Sequence, residues 1–391
     1  LARAKLLEMK SLRIIHIIPS LVKGGAERLT LDICESLHKR NDCEVKLLIL
    51  HPENMFLGQY EGLSIEYCDS YVIPSVSGKS QINVGSLQTL VDQFQPDVIH
   101  SHLFEAEIVA REIKYSKAVW FSHLHDNMFQ FQPMKLSDWL SKKRITEWFE
   151  RKWMLKKYSA CSNNFIAISR DTELYFKHVL PSKIQRITLL HNAIKFAKFS
   201  NNIPRIPEGR LIKMVCTGSL VDKKNQVFLA DVVHELNKEG FTADLRVLGD
   251  GVNKNKIAKR INELGIANQM FLEGIVDSVE SYLNQASFYV HSATYEPFGL
   301  VLLEAMAASM VCVSLNGKGN LDIHEEGRNG FLVDPADPVA FAQKLIHCTE
   351  HPKRFKEIAE YSFKYAQNFD IETYTSKLVE LYQSTIEKQK R

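Results

Sequence analysis

His291-Ser-Ala-Thr-Tyr-Glu296-Pro-Phe-Gly-Leu-Val-Leu-Leu-Glu304-Ala-Met-Ala307 follows directly on an apolar run at 288–290 and leads into a helical pattern. The run reads as a strand and the next residues as a short loop. Pro297 reads as the opening of a helix, because its fixed φ and missing N–H suit a first helical turn. Strand, tight loop and helix in that order are the building unit of an α/β sheet. Glu296 then stands at the helix mouth, with Glu304 two turns inside, about 12 Å along the axis if all of it is helical. Between them the amides of Gly299, Leu300 and Val301 point toward anything anionic at the mouth. One reading is a diphosphate on those amides, with a carboxylate reaching a hydroxyl on each side. The other is an acidic residue complementing the helix dipole plus an unrelated buried glutamate. Leu302, Leu303 and Met306 put Glu304 inside, where a carboxylate needs a partner.

The same alternation extends outward in both directions. Apolar runs at 13–18, 45–50, 97–100, 118–122, 165–168 and 187–190 form one series, and 212–217, 244–248, 270–272, 288–290, 311–314 and 331–333 a second. Short runs buried on both faces, with helical patterns between them, predict parallel sheets. The polar stretch 194–209, holding Pro204, Pro207 and Gly209, separates the series and reads as a linker. The expected architecture is α/β: two doubly wound parallel sheets facing across a cleft. The domains are expected at 1–195 and 196–370, with a C-terminal helix over 371–391 packing back on the first. Ligands of open sheets bind beyond the carboxyl ends of the strands, so the chemistry is expected in the loops that follow them.

A chain of 391 residues is long enough for two such domains. Its 45% hydrophobic and 24% charged residues exclude wholesale disorder, a collagen-like repeat and a small disulfide scaffold. Forty-nine basic against 46 acidic residues leave +3, which does not mark a nucleic-acid binder. No apolar run approaches the roughly 20 residues of a bilayer span. Residues 1–10 lack the apolar core and cleavage site of a secretory signal. The seven cysteines are scattered, with no C-x-x-C spacing, so neither a zinc site nor a disulfide framework is indicated, and a reducing cytoplasm is expected.

The first strand leads into Pro19-Ser-Leu-Val-Lys-Gly24-Gly25-Ala-Glu-Arg28. This lacks G-x-G-x-x-G, so the dinucleotide fingerprint fails. A Gly-Gly pair at a helix N-terminus lets backbone amides approach a phosphate or a substrate hydroxyl, or simply makes a tight strand–helix turn.

Taken together, these segments resemble the GT-B retaining glycosyltransferases of glycosyltransferase family 4. The likeness is carried by Gly24-Gly25-Ala26-Glu27, Phe165-Ile-Ala-Ile-Ser169, His191-Asn192-Ala193, Val215-Cys-Thr-Gly218 with Lys224-Asn225, Val247-Leu-Gly-Asp-Gly251, Phe271-Leu-Glu-Gly274, Glu296 to Ala307 as E-x7-E, and Gly327-Arg-Asn-Gly330-Phe. They occur in family order over nearly the whole chain. The resemblance implies two Rossmann-like domains. It implies that Glu304 binds the nucleotide ribose and that Glu296 contacts the donor sugar near the reacting centre. Leu300 and Val301 would offer amides to the diphosphate, Lys224 would neutralise it, and the segment with Gly274 and Ile275 would line the nucleobase pocket. Gly24 and Gly25 would belong to the loop on the acceptor side. The family's arginine after the phosphate-loop glycine is Ser219 here, so Lys223, Lys224 or Arg246 is expected to compensate. The family's glycine and proline after A-M-A are replaced by Ser309 and Val311, positions that read as structural.

In the first half, His100 and His102 follow one strand, and His123, His125 and Asp126 another. Alternate residues on an extended chain face the same way, so His-x-His with Asp can hold a metal, or can be core histidines. The resemblance implies instead that a histidine here contacts the donor sugar, and His125 is favoured over His123. The stretch 135–161 has eight basic residues, three acidic ones (+5) and Trp139, Trp148 and Trp153. It reads as a long amphipathic helical region suited to an anionic membrane surface, or as aromatics packed on the sheet with solvated charges.

The expectation is a metal-independent, cofactor-free hexosyl- or N-acetylhexosaminyl-transferase. It would move sugar from a nucleotide-diphosphate donor, UDP favoured, to a polyprenyl-diphosphate-linked glycan in bacterial surface polysaccharide biosynthesis (capsule or lipopolysaccharide). It would work in the cytoplasm at the inner face of the membrane, without nucleic acid. A GT-B epimerase or phosphorylase, or a non-catalytic nucleotide- or glycan-binding protein, are the competing readings.

Overall fold

The computed structural model describes residues 11–390 apart from Ser77; the sequence expectation for 1–10 therefore lies outside the described residues. The chain divides into two compact units. Residues up to Asn192 together with those from Ile371 onward form one, and Ala193–Asp370 the other.

The first unit is built on a seven-stranded sheet ordered Ile65–Tyr67, Cys43–Ile49, Leu12–Ile18, Val98–His102, Val119–Leu124, Asn164–Ala167, Ile187–Leu189. Every pairing in it is parallel. Ile14, Ile15, Ile17 and Ile18 are fully buried, as a strand covered by helices on both faces requires. The strand order reverses beside Leu12–Ile18, whose neighbours are Cys43–Ile49 on one side and Val98–His102 on the other. The crevice beyond such a reversal is where an open α/β sheet binds ligands. Helix Ile371–Lys390 belongs to this unit and buries Tyr374, Leu378, Val379 and Tyr382. Ser36 donates to Glu372 Oε2 at 2.9 Å, tying this helix to helix Gly25–His38. Beside the main sheet, Tyr71–Ile73 and Gln81–Asn83 form an antiparallel ribbon that the sequence pattern does not announce.

The second unit repeats the plan with six parallel strands, ordered Met270–Gly274, Thr242–Leu248, Leu211–Thr217, Phe288–His291, Val311–Leu315, Gly330–Val333. Its core runs through Met214, Cys216, Leu245, Val247, Phe288, Val290 and Val313. Here the order reverses between Leu211–Thr217 and Phe288–His291. The loops after those two strands carry Gly218–Asn225 and Ser292–Gly299. The expected linker 194–209 is part of this unit: Ile194 donates to Phe369 O at 2.9 Å and pairs with Asp370, closing the unit on itself.

One local expectation is corrected. The helix after Glu296 spans Leu300–Ala307, so Pro297 is not in its first turn. Gly299 caps it with φ +103°, a left-handed conformation that favours glycine, and Glu296 and Pro297 remain in the loop. Glu304 is the fifth helical residue, so the E-x7-E spacing is half loop and half helix. Ser309 is also left-handed, at φ +56°, which explains why the resembling family has glycine there.

Candidate functional site

The second unit gathers most of the sequence-predicted residues at its strand reversal. Glu296 donates its backbone N–H to Gly317 O at 2.8 Å and forms a parallel bridge with Lys318. This contact needs glycine on the facing loop: a Cβ on Gly319 would lie 1.9 Å from Pro297 O, and one on Gly317 2.8 Å from Glu296 Cβ. The Glu296 carboxylate receives Lys224 Nζ at 2.5 Å, and His291 Nε2 lies 3.2 Å away, both against Oε2. Burial alone would raise its pKa, but Lys224 and then His291 outweigh burial and hold it at about 2. Glu296 is therefore ionised throughout the working range. His291 is shifted the other way: burial lowers its pKa, only partly offset by Glu296.

Lys224 is placed by a single 3-10 turn, Asp222–Lys224, ended by Asn225 at φ +50°. Two bonds lace that turn to the Glu296 loop. Ser292 Oγ donates to Lys224 O at 2.8 Å, and Thr294 N donates to Lys223 O at 2.9 Å. The turn and the loop thus position one another. Ser219 is exposed, and its carbonyl accepts Gln226 Nε2 at 3.0 Å.

Of the three cations expected to replace the missing arginine, Arg246 is ruled out. Its guanidinium is held by Asp244 at 2.7 Å and Glu273 at 2.8 Å and stacks over Phe271 at 4.0 Å. Lys224 is already spent on Glu296. Lys223 is exposed, 5.8 Å from the Tyr295 ring, with no ion pair among the described residues. Helix geometry leaves the amides of Leu300 and Val301 without intrahelical acceptors, whereas Leu302 N already bonds Gly299 O. Glu304 is buried in the same helix. Gly274, at φ +73°, accepts Gly249 N at 2.7 Å, and exposed Ile275 follows it. Glu296, Lys224, Lys223, Ser219 and Gly299–Val301 thus occupy the two reversal loops and the helix they lead into, while Gly274 and Ile275 stand two strands away on the edge strand.

The first unit holds Gly24, Gly25, His123 and His125. Gly24 caps helix Gly25–His38, and the Glu27 carboxylate folds back over it, so that a Cβ there would meet Oε2 at 2.2 Å. Burial raises the Glu27 pKa. A carboxylate at this mouth suits a hydroxyl and opposes a phosphate, so it separates the two ligands considered for these amides and leaves the tight-turn reading as it stood.

Beside it lie five buried histidines. Strand register sets His16 opposite His100 and His102 opposite His123, so period-2 alternation puts all of them on one face. His16 Nδ1 is 2.8 Å from His102 Nε2, and His102 Nδ1 2.9 Å from His125 Nε2. Thr30 spends its one hydroxyl proton on Ala26 O, so at 3.2 Å it accepts from His102 Nδ1–H. His102 Nε2 is then bare and accepts from His16. His100 Nδ1 pairs with the Tyr382 hydroxyl at 2.5 Å.

Burial lowers every one of these pKa values, His123 to about 4 and His16 to about 3, so the rings are neutral. The triads His16/His100/His102 and His102/His123/His125 each bring one nitrogen per ring within 4.8 Å. His123 stacks on His125 with an interplanar angle of only 10°, whereas His16 with His100 and His102 with His125 are tilted at 37°. His125, 9% exposed, is the edge of the stack, and His123 lies sealed behind it. Sequence reading missed His16 as a member of this group and missed His291 altogether. Each looks like one polar residue inside an apolar strand.

The family model described as "Glycosyltransferase Family 4" matches residues 23–198, and that described as "Glycosyl transferases group 1" matches 199–365. Staphylococcus aureus capsular polysaccharide biosynthesis glycosyltransferase CapH is 22% identical over 95% of this chain and 99% of its own. An Escherichia coli protein named UDP-Gal:alpha-D-GlcNAc-diphosphoundecaprenol alpha-1,3-galactosyltransferase is 21% identical over 87% and 88%. Among solved structures, Anabaena HepE in complex with UDP superposes with a TM-score of 0.74 at 18% identity, covering 95% of this chain and all of that one. Two Rossmann-like sheets, matched in order by these two family models over residues 23–365, make the chain a GT-B glycosyltransferase that belongs to glycosyltransferase family 4.

Proposed function

We propose that this glycosyltransferase moves a hexosyl or N-acetylhexosaminyl group from a UDP-sugar to a hydroxyl of a lipid-linked glycan, with retention at the anomeric carbon. The observation that carries the reading is the Glu296 carboxylate, kept ionised by Lys224 and turned so that both of its cationic or polar partners meet Oε2. Oε1 is left to the donor sugar. The amides of Leu300 and Val301, with Lys223, face the diphosphate, and Glu304 takes the ribose. Gly274 and Ile275 border the base. Gly24, Gly25 and Glu27 hold an acceptor hydroxyl, and His125 contacts the sugar with His123 behind it. As the bond from the anomeric carbon to phosphate breaks, the acceptor oxygen bonds that carbon from the same face and its proton passes to a phosphate oxygen. No protein base is needed. The chain's contribution is preorganised charge stabilisation and positioning, without a metal.

UDP is supported by the HepE complex, and the lipid-linked acceptor by the name of the Escherichia coli relative. Capsule or related polysaccharide synthesis is supported by the Staphylococcus relative. Such an acceptor supports work in the cytoplasm, peripheral to the inner face of the membrane. No described helix is long and apolar enough to cross a membrane. The test is a thermal-shift panel of UDP-, GDP- and ADP-sugars followed by NMR of the product anomer in the presence of EDTA. Stabilisation by UDP-sugars and a retained anomer are expected. No stabilisation by any nucleotide, an inverted product, loss of activity in EDTA, or turnover without acceptor overturns the respective part.

A further inference from the structure

The segment 135–161 is not one amphipathic helix. A 3-10 turn, Leu136–Leu140, precedes helix Lys142–Ala160, and that helix buries only Glu147, Met154 and Tyr158 among its 19 residues. On the turn, Leu136 and Leu140 are 95% and 94% exposed, and Trp139 between them 54%. The two leucines are the most exposed large apolar side chains among the described residues.

The turn is firmly built. Asp138 accepts the Lys135 backbone N–H at 2.9 Å and the Arg144 guanidinium at 3.3 Å, and Arg144 also bonds Glu147 at 2.5 Å. Trp139 lies 5.6 Å from Trp148, over which Lys152 sits at 3.9 Å. Lys135, Lys142 and Lys143 flank the turn in the chain and are exposed, as are Lys152 and Lys156 further along the helix. Arg144, which the sequence counts toward the basic surface, is neutralised by its two carboxylates and serves as a brace instead.

We infer that Leu136, Trp139 and Leu140 form a wedge that enters the acyl region of an anionic bilayer, while the surrounding lysines hold its headgroups. The inference rests on the reading that the enzyme works at a membrane, and adds what holds it there. A bilayer is favoured over a protein partner by the arrangement. Two leucines held out by a braced turn, an indole between them and exposed lysines on both flanks of the turn match the layered chemistry of a leaflet: hydrocarbon, interface and anionic headgroup. Lysines alone would bind any anionic surface reversibly with salt; the leucines add a component that salt does not screen.

The test is co-flotation with phosphatidylcholine–phosphatidylglycerol vesicles, together with quenching of Trp139 by brominated acyl chains, assigned with Trp139→Phe. Leu136→Ser/Leu140→Ser is expected to weaken vesicle binding by about 30-fold or more, the scale of withdrawing two leucines from hydrocarbon. It should leave thermal unfolding unchanged, since neither side chain is buried. Lys142→Gln/Lys143→Gln is expected to weaken binding and flatten its salt dependence while quenching persists. Wild-type binding by the leucine double variant, no wild-type binding, or no quenching overturns the wedge. So does a concentration-dependent dimer lost in the double variant without vesicle binding, which would assign the leucines to self-association. Transfer to a water-soluble acceptor separates the two readings: its absence in wild type with vesicle binding intact overturns the catalytic reading alone.

Discussion

Lys224 and His291 both end on one oxygen of Glu296, and this asymmetry determines what each substitution does. Glu296→Gln keeps the shape but removes the charge that orients the site, and a loss of turnover of about 100-fold or more is expected, with circular dichroism unchanged. Lys224→Ala should cost as much and also leave a buried carboxylate uncompensated. His291→Ala is a subtler probe. With one partner gone, the Glu296 pKa climbs from about 2 toward its ordinary 4.5, so the acid limb of kcat should move up in pH while KM changes little. An unmoved acid limb would reduce His291 to packing. Glu296 and Lys224 were legible because they stand in loops after strands, within a recognisable spacing. His291 was not, because nothing in Phe288–His291 distinguishes a strand-end histidine that meets a carboxylate from one that only fills space.

At the scale of elements, the twelve anticipated strands appear within about two residues, since burial on both faces writes itself into apolar runs. The start of helix Leu300–Ala307 did not, because it is set by the backbone at Gly299 and by a loop seated against Gly317 and Gly319. No side-chain periodicity reports such a contact. Two glycines provide the contrast. Gly319→Ala must push Pro297 and Glu296 aside, and a fall of several degrees in Tm with near-complete loss of turnover is expected. Gly25→Ala meets nothing within 4 Å at the start of a helix, so its Tm should hold or rise slightly, by the helix propensity of about 1 kcal/mol or less. If Gly25→Ala nonetheless destroys acceptor use, the space there belongs to substrate. Thermal unfolding and initial rates on the two variants decide both points.

At the scale of the molecule, the five-histidine stack makes acid stability a property of the first sheet. Each ring is neutral when folded and takes a proton readily when unfolded. Its contribution is complete above about pH 6.5 and is lost as pH falls through the folded values, about 4 for His123 and about 3 for His16. For His123 alone the span corresponds to roughly 3 kcal/mol. Glu296, also depressed, loses its contribution only below 4.5, toward 2. Unfolding of the first unit should therefore shift to lower temperature from about pH 6.5 downward, and by more than that of the second, where buried His291 and His324 are shifted the same way but number two against five. A flat Tm between about pH 7 and about pH 5 would contradict this. The pairs His100/His102 and His123/His125 were visible in the sequence, but their assembly with His16 depends on inter-strand register, which no single strand encodes.

Helix Ile371–Lys390 belongs to the first unit although the whole of the second precedes it. On the ribosome, the sheet with the histidine stack can be finished only after the last 20-residue helix arrives with Tyr382. The unit carrying Glu296, by contrast, is one uninterrupted stretch whose two ends already hydrogen-bond each other through Ile194 and Phe369. It is an insertion with its own closure, and such a segment can be exchanged as a cassette between relatives without reopening the host sheet.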